Sequence, residues 1–401
     1  MSHVNRRDFL KTSLLRTSGA LLATPLLTHL GNSSPRTSVN NRGIIVRKLG
    51  KTGIQLPIVS FGVMRADNPA LIPAALKEGF VHFDTAHGYQ NGRNEEMLGQ
   101  VFKQFPRDSF VVSTKVPPEQ ADRSGVIGPA STAKAFLEKL DISLKRLQLD
   151  YVDILYIHGL MHKDAVSNPE MLEALKTAKK LGKAKHVGFS THRNEPEVVL
   201  AAIETGVHEV ILTSINFKQA HYPELKKAIA KAAEAGIGIV AMKPMAGGFF
   251  DRERKKPINC KAALKFVLQD ENVTTSIPGI TNFDHLAMNA GVNHELEMTD
   301  QEKKDLTEGQ SQGGLYCQGC EHCVPNCPKG LPIPDMMRAY MYTYGYSRPD
   351  MGHRVLSDLQ VSANPCSGCS QCTAVCAKGF NLSDRIEDVA RLTTVPSEFF
   401  S

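Results

Sequence analysis

Four residues in the first half of the chain have the types that carbonyl chemistry needs: Asp84, Tyr89, Lys115 and His158. Each stands at the end of an apolar run that reads as a β-strand: Phe80-Val81-His82-Phe83 before Asp84, Val111-Val112 before Lys115, and Ile154-Leu155-Tyr156-Ile157 before His158. Reducing a carbonyl puts a hydride on carbon and a proton on oxygen. Tyr89 can give that proton, although a free phenol titrates only near pH ~10. An ammonium at Lys115 would favour the phenolate and lower that barrier. Asp84 would keep Lys115 charged and in place, and His158 would orient the carbonyl by hydrogen bonding. Any one of these residues has an ordinary structural reading: an interior ion pair for Asp84 and Lys115, a satisfied core histidine for His158. All four at strand ends point to one spot if the strands are parallel and closed into a barrel.

A second chemistry lies in the C-terminal quarter. Eight of the nine cysteines fall in two runs, Cys317, Cys320, Cys323, Cys327 and Cys366, Cys369, Cys372, Cys376, both spaced C-x2-C-x2-C-x3-C. That spacing is the one found in bacterial two-cluster ferredoxins, where the fourth cysteine of each run ligates the other cluster. It predicts two [4Fe-4S] clusters, one on Cys317, Cys320, Cys323 and Cys376, the other on Cys366, Cys369, Cys372 and Cys327. Pro328-Lys329-Gly330-Leu331 parallels Ala377-Lys378-Gly379-Phe380, so the two runs form an internal repeat. A disulfide framework and zinc are the rivals. The regular repeat and the three-residue steps, across which cysteines seldom pair, disfavour disulfides. The stretch 328–365 between the runs predicts a helix over Asp335–Tyr344. Cys260 falls in a helical pattern beside Ala262 and Ala263 and reads as a core thiol.

The elements that must position these groups follow from hydrophobic periodicity. Candidate strands are 57–62, 81–85, 110–115, 151–157, 185–190, 209–215, 237–242 and 273–278, several of them near-continuous apolar runs typical of strands covered on both faces. Between them Phe136, Leu140, Leu144 and Leu147 recur at helical spacing, as do Leu225, Ile229 and Ala232. Arg47–Val59 reads as a hairpin around Gly50-Lys51-Thr52-Gly53. Eight alternating units favour an α/β fold, a (β/α)8 TIM barrel, over an open sheet. No G-x-G-x-x-G follows an early strand, which removes support for a Rossmann domain. The chain has 401 residues, 42% hydrophobic, with a net charge of only +6. That mild charge, without a basic stripe or zinc-finger spacing, gives no sign of nucleic-acid binding.

Asp84-x-x-x-x-Tyr89, Lys115 and His158, in this order and at strand ends, resemble the catalytic tetrad of aldo/keto reductases. The resemblance covers roughly 44–308 and includes the hairpin that closes the barrel bottom. It implies a nicotinamide cofactor, NADP or NAD, and a small carbonyl or alcohol substrate. By the same resemblance Ser190 and Thr191 match the pair that binds the carboxamide, Thr191 standing where the family has Asn. Asn216 matches a third carboxamide contact, and Met242 stands where many members stack a Tyr on the ring. Gly279, Ile280 and Thr281 lead into a helix start suited to a phosphate, and Asn289 follows on that helix. No Arg or Lys lies between 279 and 289 to grip a 2′-phosphate; Lys243 or the basic loop Arg252–Lys256 could substitute.

At the N-terminus, Asn5-Arg6-Arg7-Asp8-Phe9-Leu10-Lys11 precedes a short apolar run, Leu14–Leu27, and resembles a bacterial twin-arginine signal. The expected organisation is an export signal and linker over 1–42, the barrel over 43–308, a linker over 309–316, and a small α+β ferredoxin-like domain over 317–401. Export by this route, which carries folded proteins with their cofactors, places the protein in the periplasm or cell envelope, held at a membrane only if the signal stays uncleaved. Two functions remain open. One is an NAD(P)-dependent oxidoreductase whose clusters pass electrons to an external redox partner or serve structure. The other is a barrel scaffold without turnover that carries a ferredoxin-type electron carrier.

Overall fold

The computed structural model describes residues 37–121, 125–369 and 371–400; the predicted export signal lies outside them. The chain enters as β1 (Thr37–Val39), β2 (Ile45–Lys48) and β3 (Gln55–Pro57), a three-stranded antiparallel sheet. The β2–β3 hairpin closes the floor of the barrel. Leu49 and Leu56 are fully buried against Ile154, Tyr156, Val210, Leu212 and Val240, side chains that point into the barrel. Burying each leucine contributes about 1.5–3 kcal/mol. Gly50 makes the turn at φ +51°, and a Cβ there would lie 2.4 Å from the Gly236 carbonyl oxygen, so only glycine fits. Arg47, 2% exposed, donates to the carbonyls of Leu268, Asp270 and Val273 and ties the hairpin to the end of the last barrel repeat.

Eight parallel strands follow: β4 (Phe61–Gly62), β5 (His82–Asp84), β6 (Val111–Val116), β7 (Val152–Ile157), β8 (Ala184–Thr191), β9 (Val210–Ser214), β10 (Gly238–Met242) and β11 (Val273–Ser276). Each pairs with the next. Bridges Val59–Ser276 and Gly62–Gly279 then join the first to the last and complete the ring. All eight expected strands are present. Every residue of β7 is buried, as its unbroken apolar run requires.

The remaining segment folds differently from expectation in three respects. The helix Asp300–Ser311 takes in the first residues of the expected linker, and its Thr299–Glu302 capping box forms as its sequence dictates. The cysteine domain is present, but its described residues form helices Ile333–Tyr340, Pro349–Asp358 and Leu382–Ala390 with loops and no strand, so it is helical rather than α+β. The helix expected to reach Tyr344 ends at Tyr340 and passes into a π-helical turn, Met341–Gly345. This domain shares a core with the barrel. Met336, Met337, Leu356, Leu382 and Ile386 form one apolar cluster with barrel residues Phe217, Ala246, Ile258 and Ala262.

Candidate active site

The parallel ladder delivers the four chemical residues to one end of the barrel. Asp84 ends β5, Lys115 lies in β6, and His158 follows β7, its amide bonded to the Val116 carbonyl at 2.9 Å. Tyr89 sits on the loop after β5, where Gln90 and Asn91 both adopt left-handed backbone. That loop is fixed from beneath: Asn94 donates to the Val63 carbonyl at 2.9 Å and accepts from Thr85 at 2.5 Å. Lys115 is 1% exposed; its ammonium donates to Asp84 and, at 2.6 Å, to the Thr85 carbonyl. It also lies 4.7 Å from the centre of the Tyr89 ring, which meets the His158 imidazole edge-on at 6.0 Å.

Burial pulls the Lys115 pKa down, but Asp84 and Tyr89 beside it outweigh burial, and the net shift is upward. The ammonium is therefore fixed. Tyr89 departs from expectation: burial raises its pKa more than Lys115 lowers it. The phenol is thus held protonated, which suits a proton donor. Burial, then Lys115 and Arg338, depress His158 to about 3, so its imidazole is neutral at ordinary pH. Two residues that periodicity marked only as strand extend the network. Ser113 donates to the second Asp84 oxygen at 2.7 Å, and His82 contacts Ser113 at 2.9 Å. Their inward-facing positions on adjacent strands were the available signal.

The expected cofactor residues lie around the same rim. The Ser190 hydroxyl accepts from Gly159 N at 3.0 Å, and Thr191 donates to the Arg193 carbonyl at 3.1 Å. Asn216 and Asn289 are buried, and among the described residues the Asn216 amide nitrogen and Asn289 amide oxygen have no hydrogen-bond partner. A buried unpaired donor and acceptor, one beyond β9 and one beyond β11, fit a ligand presenting an amide oxygen at one end and an amino group at the other. Met242 ends β10 and is half-buried. The helix after Gly279-Ile280-Thr281 is already capped by Asn282, and Thr281 bonds His285 at 3.0 Å. In the basic loop, Arg252 pairs with Asp388 and Arg254 bonds Ser347, both in the cysteine domain, so these two cations are engaged there. Arg65, on the loop after β4, is a cation that reaches this rim, and its Cδ would lie 3.8 Å from a Cβ at Gly279.

The cysteine domain is seated on this same end. Arg193 pairs with Asp335 at 3.2 Å and Glu321 at 3.0 Å. Arg65 donates to the Tyr346 carbonyl at 2.9 Å and covers its ring at 4.7 Å. Lys218 holds the carbonyls of Gly309, Gln310 and Gln312, so the linker is fastened to the loop after β9. Tyr316, just before the first cysteine, is buried with its phenol beside Ser214 and Asn216.

Cys317, Cys320, Cys323 and Cys376 line one hollow, walled by Ile333, Met337, Phe380 and Leu382. Cys372, Cys369 and Cys327 lie close enough to Cys366 to raise its pKa. Each group draws three cysteines from one run and the fourth from the other. Burial raises Cys317 to about 12 and Cys323 to about 11. The first hollow is apolar and closed by four sulfurs, a lining that fits a cluster.

A closed parallel barrel with its polar groups gathered at the strand ends is an enzyme fold with its site at that mouth. Residues 55–262 match the aldo/keto reductase family, and residues 316–381 match a 4Fe-4S dicluster domain. The chain belongs to the aldo/keto reductase family and is an oxidoreductase. It is 25% identical over 304 residues to an L-galactose dehydrogenase of Arabidopsis thaliana, spanning 66% of this chain and 93% of that one. It is 30% identical over 221 residues to an L-glyceraldehyde 3-phosphate reductase of Escherichia coli strain K12, spanning 50% and 62%. An aldo-keto reductase of Bacillus halodurans shares the fold at a TM-score of 0.52 and 22% identity, over 66% of this chain and 95% of that one.

Proposed function

We propose that the protein interconverts a small carbonyl compound and its alcohol, with Tyr89 as proton donor, Lys115 and Asp84 as its electrostatic support and His158 as the orienting group. The observation that carries this reading is the Lys115 ammonium, buried between Asp84, the Thr85 carbonyl and the Tyr89 ring. A bound nicotinamide would supply or accept the hydride, held through its carboxamide by Ser190, Thr191 and Asn216 and packed on Met242. At the far end Gly279, Ile280, Thr281 and Asn289 would line the groove, with Arg65 as the cation nearest a phosphate. Neutral His158 would hold the carbonyl oxygen, Tyr89 would protonate it, and Lys115 would stabilise the phenolate left behind. In the reverse direction the same phenolate would take the proton.

The two sets Cys317, Cys320, Cys323, Cys376 and Cys327, Cys366, Cys369, Cys372 would hold two [4Fe-4S] clusters. These would supply one-electron chemistry toward an external redox partner or crosslink the domain. Export by the twin-arginine route belongs to the same reading, because clusters must be inserted before transport. The test is iron, sulfide and released nicotinamide from one anaerobic preparation. About eight iron and eight sulfide per chain with bound NAD(H) or NADP(H) is the expected result, and Tyr89→Phe should abolish turnover while keeping the nucleotide. Clusters without any nucleotide binding would favour the scaffold instead.

A further inference from the structure

The first cysteine run sits directly on the barrel where Thr191 closes β8 and Asn216 follows β9. Two residues of the run face both ways. Gln318 and Glu321 line the hollow closed by Cys317, Cys320, Cys323 and Cys376. Gln318, 8% exposed, also accepts from the Ala220 backbone N–H at 3.0 Å. Glu321, held at φ +58°, also pairs with Arg193 at 3.0 Å. Between them Gly319 packs on the barrel: a Cβ there would lie 3.5 Å from Arg193 Cγ and 3.6 Å from the His192 carbonyl oxygen. Arg193 is 3% exposed. Its second acid, Asp335, stands on the helix whose Ile333 and Met337 wall the same hollow.

From these contacts one further hydrogen bond reaches each rim residue. The Arg193 carbonyl takes the Thr191 hydroxyl proton at 3.1 Å, which leaves the Thr191 oxygen as an acceptor. On the other loop the Gln219 side chain accepts from the Asn216 backbone N–H at 2.9 Å, one residue before Ala220. That bond fixes the turn presenting Asn216 Nδ2, a buried donor with no hydrogen-bond partner among the described residues. β8 and β9 pair with Thr191 opposite Thr213, so acceptor and donor belong to adjacent strand ends. An acceptor near a donor is the complement of a primary amide, which carries an NH2 and a carbonyl oxygen on one carbon.

We infer that Arg193 and Gln318 are positioning residues for the nicotinamide carboxamide, acting through Thr191 and Asn216, and that through them the nucleotide and a cluster on Cys317, Cys320, Cys323 and Cys376 favour one another. This rests on the nicotinamide reading above and concerns the same groove. A cluster would tie the loop 317–323 to Cys376 and so hold Gln318 and Glu321 where the barrel loops need them. Coupling between two sites is reciprocal, so the nucleotide alters the first cluster's surroundings in return. The link runs through the first set of cysteines, and the second cluster should be indifferent to the nucleotide.

The test uses full-length protein purified anaerobically with its clusters. NADH and NADPH are titrated calorimetrically into the parent, into Cys372→Ser, which should keep only the first cluster, and into Cys376→Ser, which should keep only the second. Electron paramagnetic resonance is recorded on all three with the clusters already reduced by a europium(II) chelate, so that added nucleotide reports binding and delivers no electrons. The expected affinity is near the parent's in Cys372→Ser and weaker by about tenfold in Cys376→Ser, within the usual range of coupling between sites. Nucleotide should shift the g-values of the first cluster and leave those of the second unchanged. Arg193→Met and Gln318→Met, with iron content and circular dichroism matching the parent, should each weaken the nucleotide by about tenfold and lose the spectral shift. Arg193→Lys should regain part of both. A clamp that only fastens the domain would loosen it to proteolysis and move neither readout, which would overturn the inference. Equal affinity in the two cysteine variants, or a shift confined to the second cluster, would overturn it too. A cluster-loaded parent that binds neither nucleotide would remove the nicotinamide reading and this inference with it, whereas binding without coupling removes the inference alone.

Discussion

Breaking the Asp84–Lys115 pair from one side should be far worse for stability than removing it from both. Lys115 and Asp84 are each about 1% exposed, and the ammonium also donates to the Thr85 carbonyl. Asp84→Asn leaves a buried ammonium whose largest remaining influence is desolvation. Lys115→Met leaves a buried carboxylate held, among the described residues, by Ser113. Removing one partner of a buried pair costs about 3–5 kcal/mol. In the double variant no charge stays buried. The residual loss is the unpaired Thr85 carbonyl, about 1–2 kcal/mol. The two single losses should therefore exceed the double by well over 2 kcal/mol of coupling. Urea unfolding followed by circular dichroism measures it. Turnover should behave differently, falling about 100–1,000-fold in the Lys115 variants and staying down in the double, because the charge that stabilises the Tyr89 phenolate is gone. Coupling below about 1 kcal/mol, or turnover that recovers with stability, would refute the role given to the pair.

Acid should destabilise the barrel through histidines kept neutral by burial. His82 and His208 sit at about 4, both lowered by desolvation. The unfolded chain then binds protons that the native state refuses between pH 6.5 and about 4, so stability falls as pH drops through that window, by about 2 kcal/mol per histidine at pH 5. Melting profiles across this range should flatten in His82→Gln; an unchanged slope would reject the assignment. Cys376→Ser should remove the cluster otherwise built on the first run, and Cys372→Ser the other, each roughly halving an iron content of about eight. Air exposure should bleach the second first, because Cys369 and Cys372 are exposed whereas Cys323 is buried; electron paramagnetic resonance of each single-cluster variant checks both statements. Arg193→Met, which strips Asp335 and Glu321 of a buried partner, should make the cysteine domain more susceptible to limited proteolysis than the barrel.

What the sequence disclosed was whatever repeats at short range. Strand positions followed from runs such as Val152–Ile157, and parallel pairing then dictated that Asp84, Lys115 and His158 meet. The cysteine spacing announced a cluster-binding segment for the same reason, since ligands on one turn must lie close in the chain. The polar partners of the tetrad were hidden by their setting. His82 and Ser113 stand in buried strands, and only the pairing of β5 with β6 sets Ser113 between His82 and Asp84. The balance of influences on Tyr89 was also out of reach. Lys115 is visible as a charge in the sequence, but the burial that outweighs it depends on how the whole mouth is covered.

That cover is made of contacts between residues far apart in the chain. Arg65 and Tyr346 are 281 positions apart, and Arg193 and Asp335 are 142 apart. The family resemblance offered Lys243 or the basic loop Arg252–Lys256 as a substitute grip on a nucleotide phosphate, because positive charge near a cofactor groove is ambiguous. The structure resolves that ambiguity for Arg252 by giving it Asp388 as a partner. In this chain an ion pair found across the domain junction explains a charge as structure.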